Sequence, residues 1–313
     1  MKFYYICYVK LSLIIATYNR APYLLRTLES VVGQTADPSS WECVAVNNNS
    51  TDSTAADFAR FAAAHPRFDL RMVDEPEQGL SNARNCGIRN SSGEIVAIID
   101  DDETIVPEYI STYIGFFGTH PEASVAGGGV IPRYENGRPK WMSTYPERMI
   151  ANPIDFGGRV REFPKGRVPA GGNMAFRRKV FDCFGMFDPA LGRNGKALTG
   201  GEETDLFARL RAGGERLYYV PHAEIFHHIP DEKLTRERFD RQSFDVGRSK
   251  YVRAASNGRV QALLADERRK RVFTFVLAAY YLLTFRPRKA EWLIAMRRGI
   301  SAGIAAQAEK DRD

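Results

Sequence analysis

Two continuous apolar runs, Leu11–Ala16 (LSLIIA) and Ile95–Ile99 (IVAII), each stop abruptly at polar residues: Thr17, Tyr18 and Asn19 after the first, Asp100, Asp101 and Asp102 after the second. Runs of five or six apolar residues without alternation suit strands buried on both faces, as in a parallel sheet covered by helices. The intervening sequence agrees. Pro22 opens a helical pattern through Leu24, Leu25, Leu28, Val31 and Val32, and Glu42–Val46 predicts a second strand running into the polar turn NNNSTDS. An Ala-rich helix then ends near His65 and Pro66, Leu70–Val73 predicts a third strand, and Ser81–Arg89 predicts a helix after the loop at Gly79. Strands alternating with helices imply an α/β fold with a central, mostly parallel sheet. Ligands of such sheets bind beyond the carboxyl ends of the strands, so the turns at Thr17, Asn47 and Asp100 are expected to converge on one pocket.

From about Pro121 the alternation gives way to Gly- and Pro-rich segments, Ala126–Val130 (AGGGV) and Pro164–Asn173 (PKGRVPAGGN). Further helices are expected over Arg177–Phe184 and Glu202–Ala212, and short strands over Leu217–Val220 and Ala223–Phe226. Beyond Asp231 the chain turns basic and helical. The expected organisation is a catalytic domain over 1–230, with a nucleotide-binding half to about 120 and an acceptor half over about 121–230, then a basic helical extension over 231–313. The 44 Lys and Arg against 38 Asp and Glu, a net charge of +6, suit an anionic partner without choosing one. Cys7, Cys43, Cys86 and Cys183 lie far apart with no C-x-x-C pair, so four reduced thiols in a cytoplasmic protein are expected rather than a disulfide framework or structural zinc site. The apolar start, Met1–Val9, is broken by Lys10 with no small-residue cleavage site after it, and reads as an edge strand rather than a secretory signal.

An isolated acidic triplet is ordinarily a solvated turn. Directly after IVAII, however, Asp100 and Asp102 would face the crevice, where a divalent cation bridging two phosphates needs one or two carboxylates. Arg84, in GLSNARNCGI, could offer its fork of donors to a diphosphate, although most helix arginines are simply solvated. A carboxylate of GGEETDLFARL, among Glu202, Glu203 and Asp205, could take a proton from a hydroxyl; acids in a first helical turn also complement the helix dipole. His227 or His228, after a short strand, could complete a metal site or simply pack.

Taken in order, SLIIATYNR, NNNSTDST, GLSNARN, IIDDDE and GGEETDLFARL resemble the motif set of family 2 glycosyltransferases, over roughly residues 11–230. The resemblance implies a GT-A fold, a nucleotide-diphospho-sugar donor, a D-x-D site for Mn²⁺ or Mg²⁺, and inversion at the anomeric carbon. By position, Thr17, Tyr18 and Arg20 would frame the nucleoside with Asn47 and Asn48. Arg84 would contact the nucleoside or diphosphate. Asp100 and Asp102 would be the D-x-D pair around Asp101, with His227 the late metal-site histidine and His228 its alternative. Glu203 stands at the place of the catalytic base, where the family usually has Asp; Asp205 is the second choice. The turn that normally opens with aspartate reads Asn47, Asn48, Asn49, which keeps acceptance of a uracil imide proton but removes its charge assistance; a UDP-sugar is favoured and other donors stay open.

Val272–Phe285 (VFTFVLAAYYLLTF) is shorter than the roughly 20 residues of a spanning helix. Lys270, Arg271, Arg286, Arg288 and Lys289 flank it, which suits a helix lying on an anionic membrane surface, here the inner face of the cell membrane; a core helix or dimer contact has the same length. The expected reaction moves one sugar per encounter to a glycan or lipid-linked acceptor, with no nucleic acid involved, since the several spanning segments and Q-x-x-R-W signature of processive synthases are missing. Two alternatives remain: a nucleotidyltransferase, which would want a Gly-rich basic loop where ATYNR stands, and a nucleotide-sugar-binding scaffold without catalysis. A dinucleotide oxidoreductase is excluded by the lack of G-x-G-x-x-G at the first turn.

Overall fold

A computed structural model describes residues 10–192 and 200–312. Met1–Val9 with Cys7, and most of the GRNGKALTGG loop, lie outside the described residues.

The alternation expected for the first hundred residues is present: β1 (Leu11–Thr17), α1 (Ala21–Val32), β2 (Trp41–Asn47), α2 (Thr54–Ala64), β3 (Leu70–Asp74), α3 (Leu80–Arg89) and β4 (Ile95–Asp100). Next come β5 (Glu103–Ile105), α4 (Tyr109–Thr119), β6 (Val125–Gly127), β7 (Val130–Tyr134), α5 (Thr144–Ile150), β8 (Arg161–Glu162), β9 (Met174–Arg177) and α6 (Lys179–Phe184). The chain closes with α7 (Glu202–Ala212), β10 (Leu217–Tyr219), β11 (Ile225–Ile229), α8 (Arg236–Ser256), α9 (Val260–Leu283) and α10 (Pro287–Lys310). The strand expected at 223–226 is thus displaced to Ile225–Ile229; His222, at φ 66°, turns the chain first.

The main sheet has eight strands in the order β3-β2-β1-β4-β9-β6-β10-β8. β3, β2, β1 and β4 run parallel, in a register that sets Leu11 beside both Trp41 and Ile95 and Ala16 beside Asp100. β9 enters antiparallel between β4 and β6. The apolar runs are buried as their composition requires: Leu13, Ile14, Ile15 and Val96 through Ile99 have no exposed surface. The chain order reverses between β1 and β4, and at such a switch point the diverging loops open a crevice at the strands' carboxyl ends. A second sheet of order β5-β11-β7 lies alongside the sequence of the acidic turn, β5 following Asp102 directly.

By contact density the chain divides into two compact units. One holds the described residues up to Ile131, those from Ile154 to Gly192, and Glu202–His228; the other joins Pro132–Pro153 to everything from Ile229 onward. The second unit has its own core, with Trp141 stacked on Trp292 at 3.6 Å and Phe239 edge-on to both. Within it α8 and α10 approach closely enough that glycine is required: a Cβ at Gly299 would fall 2.6 Å from that of Ser243, and Gly247 and Gly303 face backbone carbonyls of the opposite helix.

Candidate active site

The carboxyl end of β4 carries the acids, beside the end of β1. Thr17 Oγ donates to Asp101 Oδ2 at 2.9 Å, and Arg20 spans two carboxylates, its guanidinium 2.8 Å from Asp101 Oδ1 and 3.0 Å from Asp102 Oδ2. Arg20 reaches them because Asn19 adopts a left-handed φ of 51°, turning the chain sharply between β1 and α1. From α1, Thr27 Oγ donates to the carbonyls of Asp101 and Glu103, holding the acidic turn from behind. Asp101 and Asp102 are therefore buried and cross-linked. Asp100, with its side chain 40% exposed, is the carboxylate that opens toward solvent.

Glu103, the fourth acid of IIDDDE, is buried and accepts the backbone N–H of Asp100 at 3.0 Å. Burial, then the neighbouring Asp100 and Asp102, push its carboxyl well above the usual range. It is a prop beneath Asp100 that sequence reasoning did not single out; its signal was an extra acid immediately after the triplet.

Arg84 is the hub of the site. Its guanidinium, 1% exposed, lies 3.0 Å from Glu202, 3.6 Å from Glu203 and 3.1 Å from Asp100, and donates to the Gly171 carbonyl at 3.1 Å. The sequence reading aimed Arg84 at the nucleoside or diphosphate; in the structure it is buried among the acids, joining Asp100 to Glu202 and Glu203. The physical reason is charge: carboxylates that close and that buried require a buried counter-charge.

Glu202 is wholly buried against Arg84. Glu203 keeps a quarter of its side chain exposed, and burial together with Glu202 raises its carboxyl to about 7 even with Arg84 nearby. A proton acceptor works best when its pKa lies near the operating pH, and Glu203 combines such a value with access to solvent. Asp205 is turned away onto Arg209, 2.9 Å distant one helical turn later.

The PAGGN loop seats both glutamates. Gly171 faces Glu203 and Gly172 faces Glu103 so closely that a Cβ at either position would overlap a carboxylate. Asn173 anchors the loop: its carbonyl accepts from Tyr109 at 3.1 Å and Tyr113 at 2.7 Å, while its amide donates to the carbonyls of Gly129 and Ala223. These four bonds saturate a completely buried side chain. Neither the glycine pair nor Asn173 stood out in the sequence beyond being Gly-rich loop.

The asparagine turn closes the other side. Asn47 donates to Asp74 at 2.8 Å and accepts from the Ser50 N–H at 3.0 Å; Asn48 donates to the carbonyls of Glu75 and Glu77 and accepts from the Gly79 N–H at 2.8 Å. Asn48 N–H in turn donates to the Thr17 carbonyl at 2.9 Å, tying this turn to the end of β1, where Tyr18 is exposed. Asp74, at the exposed end of β3, places a carboxylate against Asn47 that the sequence of the turn does not contain.

β11 pairs antiparallel with β5, setting His227 beside Glu103. His228 donates its backbone N–H to the Asp102 carbonyl at 3.1 Å, and its Nε2 lies 2.9 Å from Thr104 Oγ. Successive strand residues face opposite ways, so His227 and His228 serve different sides. Among the described residues no three of His, Cys, Asp and Glu form a ready-made metal cage. Hard carboxylate oxygens with one partly exposed member nevertheless fit Mg²⁺ or Mn²⁺ arriving with phosphate oxygens, which need few protein ligands.

The family profile described as glycosyl transferase family 2 matches residues 12–185, from β1 to the end of α6. This chain belongs to glycosyl transferase family 2. Among curated relatives of this family 2 enzyme, the glucosyl-dolichyl phosphate glucuronosyltransferase of Haloferax volcanii is 30% identical over 254 residues, covering 78% of this chain and 77% of that protein. The succinoglycan biosynthesis protein ExoM of Rhizobium meliloti is 26% identical over 238 residues, covering 75% and 72%. A mannosyltransferase of Pyrobaculum calidifontis, solved with GDP-Man and Mn²⁺, superposes with a TM-score of 0.63 at 17% identity over 96% of this chain and 87% of that one. S. aureus TarS (1-349) with UDP-GlcNAc superposes with a TM-score of 0.55 at 15% identity over 96% and 93%. The α/β fold of this glycosyltransferase is GT-A. The Glu202–Asp205 cluster lies beyond the span of the family profile, so its assignment rests on geometry.

Proposed function

We propose that this glycosyltransferase is an inverting, metal-dependent and non-processive enzyme, moving one sugar from a nucleotide-diphospho-sugar to a hydroxyl of a lipid-linked glycan or polysaccharide precursor. The observation that carries the reading is the Arg84 bridge, which fixes an accessible carboxylate titrating near neutrality, Glu203, on the same guanidinium as the outward-facing Asp100. In this mechanism Glu203 accepts the acceptor's hydroxyl proton as that oxygen bonds to C1 of the sugar, and the C1–O bond to the diphosphate breaks with its electron pair leaving on the nucleoside diphosphate. One displacement inverts C1. Asp100 and Asp102, with His227, would hold Mn²⁺ or Mg²⁺, which supplies positive charge to the departing diphosphate. Tyr18 and the Asn47–Asn48 turn flank the nucleoside, with Arg20 and Thr17 fixing Asp101 and Asp102 beneath it.

A UDP-sugar is favoured, since the second lone pair of an asparagine carbonyl can still accept an imide proton and Asp74 orients Asn47. The names of the relatives support a lipid-linked or polysaccharide acceptor. Among the described residues no helix is long and apolar enough to cross a membrane. α9 and its continuation nevertheless expose Val272, Phe275, Val276, Leu283 and Phe285 between basic clusters, which supports peripheral contact with an anionic bilayer at the inner face of the cell membrane. The test is thermal stabilisation by UDP, GDP, CDP and dTDP, each with Mn²⁺, Mg²⁺ or EDTA, followed by product analysis with the matching sugar nucleotides. A metal-dependent shift with one nucleotide and inverted product is expected; no shift with any of them would refute the donor site.

A further inference from the structure

The second compact unit contains a cavity of about 500 Å³ bounded by α5, α8, α9 and α10. Its walls are of two kinds. Tyr145, Met149, Phe273 and Leu293 provide an apolar lining, and Arg148, Lys250, Lys270 and Arg297 place four cations around it. Among the described residues two carboxylates oppose them: Glu267, buried, takes both Lys250 at 3.2 Å and Arg297 at 2.6 Å, while Asp266 takes Lys270. Arg148 is exposed and pairs with no acid among the described residues. The cavity therefore carries excess positive charge. Burial, with Lys270 and Arg297 nearby, pulls the Lys250 ammonium below its usual value against the pull of Glu267, so an anion entering here would relieve a standing repulsion.

Phe273 joins the cavity to the surface. It lines the cavity against Tyr145, with ring centroids 5.7 Å apart, and is itself half exposed, next in sequence to the exposed Val272 and one turn before Val276. A molecule with an anionic head and a hydrocarbon tail could place the head among the cations and run the tail out along α9. A nucleotide or free sugar phosphate would leave that apolar exit unused.

We propose that this cavity is a binding site for the headgroup phosphate of one anionic glycerophospholipid, with Arg148 and Lys270 as its outer phosphate contacts and Phe273 bearing the first part of the acyl chain. This rests on the reading that α9 meets a membrane, and adds to it a stoichiometric, built site in place of diffuse charge attraction. A bilayer phospholipid is preferred over a carrier lipid because Arg268, Arg269 and Arg271, beside Lys270 in α9, and Arg288, in α10, are all exposed, and that many exposed cations match many anionic heads rather than one.

The experiment uses the full chain and two kinds of probe: vesicles of phosphatidylcholine with or without phosphatidylglycerol, and short-chain phosphatidylglycerol below its micelle concentration, titrated calorimetrically. One saturable site for the monomeric lipid is expected, weakened about tenfold or more by Arg148→Glu, which exchanges a charge-assisted hydrogen bond for repulsion. Arg288→Glu, outside the cavity, should weaken vesicle binding and leave monomer binding unchanged. Both positions are exposed, so folding is preserved, and circular dichroism verifies it. Vesicle binding without a saturable monomer site, or equal loss of monomer binding in both variants, overturns the cavity assignment while leaving the membrane reading. Equal affinity for inorganic phosphate or short-chain phosphatidylcholine overturns it as well, since tail or charge would then be irrelevant. Absence of any binding to anionic vesicles overturns the membrane reading itself.

Discussion

Replacing Gly171 with alanine displaces Glu203 without altering its chemistry. A Cβ at that position would overlap Glu203 Oε1 and sit 2.8 Å from its Cδ, where real Cβ contacts stay beyond about 3.0 Å, so the carboxylate must withdraw by about 1 Å. It has room to do so, because a quarter of the side chain already meets solvent and its Arg84 contact is the longest of the three ion pairs there. The cost to stability should accordingly be small, about 1 kcal/mol or less, whereas a misplacement of about 1 Å in a reacting group can cost on the order of 100-fold in rate. Gly172→Ala supplies the contrast. Its Cβ overlaps the whole carboxylate of Glu103, which is fully buried with nowhere to retreat, so about 1–3 kcal/mol of stability should go with the activity. Steady-state transfer kinetics at saturating donor, paired with urea unfolding of both variants, make the comparison. If Gly171→Ala retained near-normal kcat, Glu203 would not be the base and the proton would have to be taken elsewhere.

Four further outcomes follow from the same geometry. Glu203 must be ionised to accept a proton, so kcat should rise with pH through about 7 in the native enzyme, and Glu203→Gln should abolish transfer while nucleotide binding persists. The raised carboxyl also means folding favours its neutral form: stability drains away as pH climbs from the ordinary value of 4.5 to about 7, so Glu203→Gln should melt higher than the native protein above that range, and the gap should close below it. Arg84→Met leaves Glu202 buried without its cation, and urea unfolding should register a loss of about 3–5 kcal/mol; a loss below about 1 kcal/mol would remove Arg84 from its role as the hub. Asp100→Asn should preserve the fold but cancel the extra thermal stabilisation that Mn²⁺ gives a bound nucleotide, and EDTA should have the same effect on the native protein.

The strands that build the crevice were legible because a two-sided burial leaves an unmistakable trace: β1 and β4 are long apolar runs, β2 carries Cys43–Val46, and polar residues begin where the sheet ends. β9 has the same burial but only four residues, Met174–Arg177, too short for any period to emerge, and nothing local says that it inserts antiparallel between β4 and β6. The acids showed the same division. Their positions could be read from the strand ends, but the differences among them could not, because those are made by partners distant in the chain. Arg20 locks Asp101 and Asp102 from about eighty residues away, and Glu202 meets Arg84 across 118. The same distance hid the ion pairs of Arg84, which the sequence singled out only as a contact for nucleoside or diphosphate.

What the sequence treated as one apolar segment, Val272–Phe285, resolves in the structure into residues with opposite duties. Thr274 and Ala278 are buried while Val272, Phe275, Val276 and Leu283 are exposed, and hydropathy averaged along the segment cannot separate them. The cations around the cavity come from 148, 250, 270 and 297, positions with no common spacing, and assemble only because Pro132–Pro153 folds with the C-terminal helices. Charge placed this way is costly to keep near apolar walls unless something anionic compensates it, and Glu267, shared by two cations, compensates only one. The four cations thus exceed the two carboxylates that meet them, and the surplus is best explained by a ligand that the helical unit meets from outside.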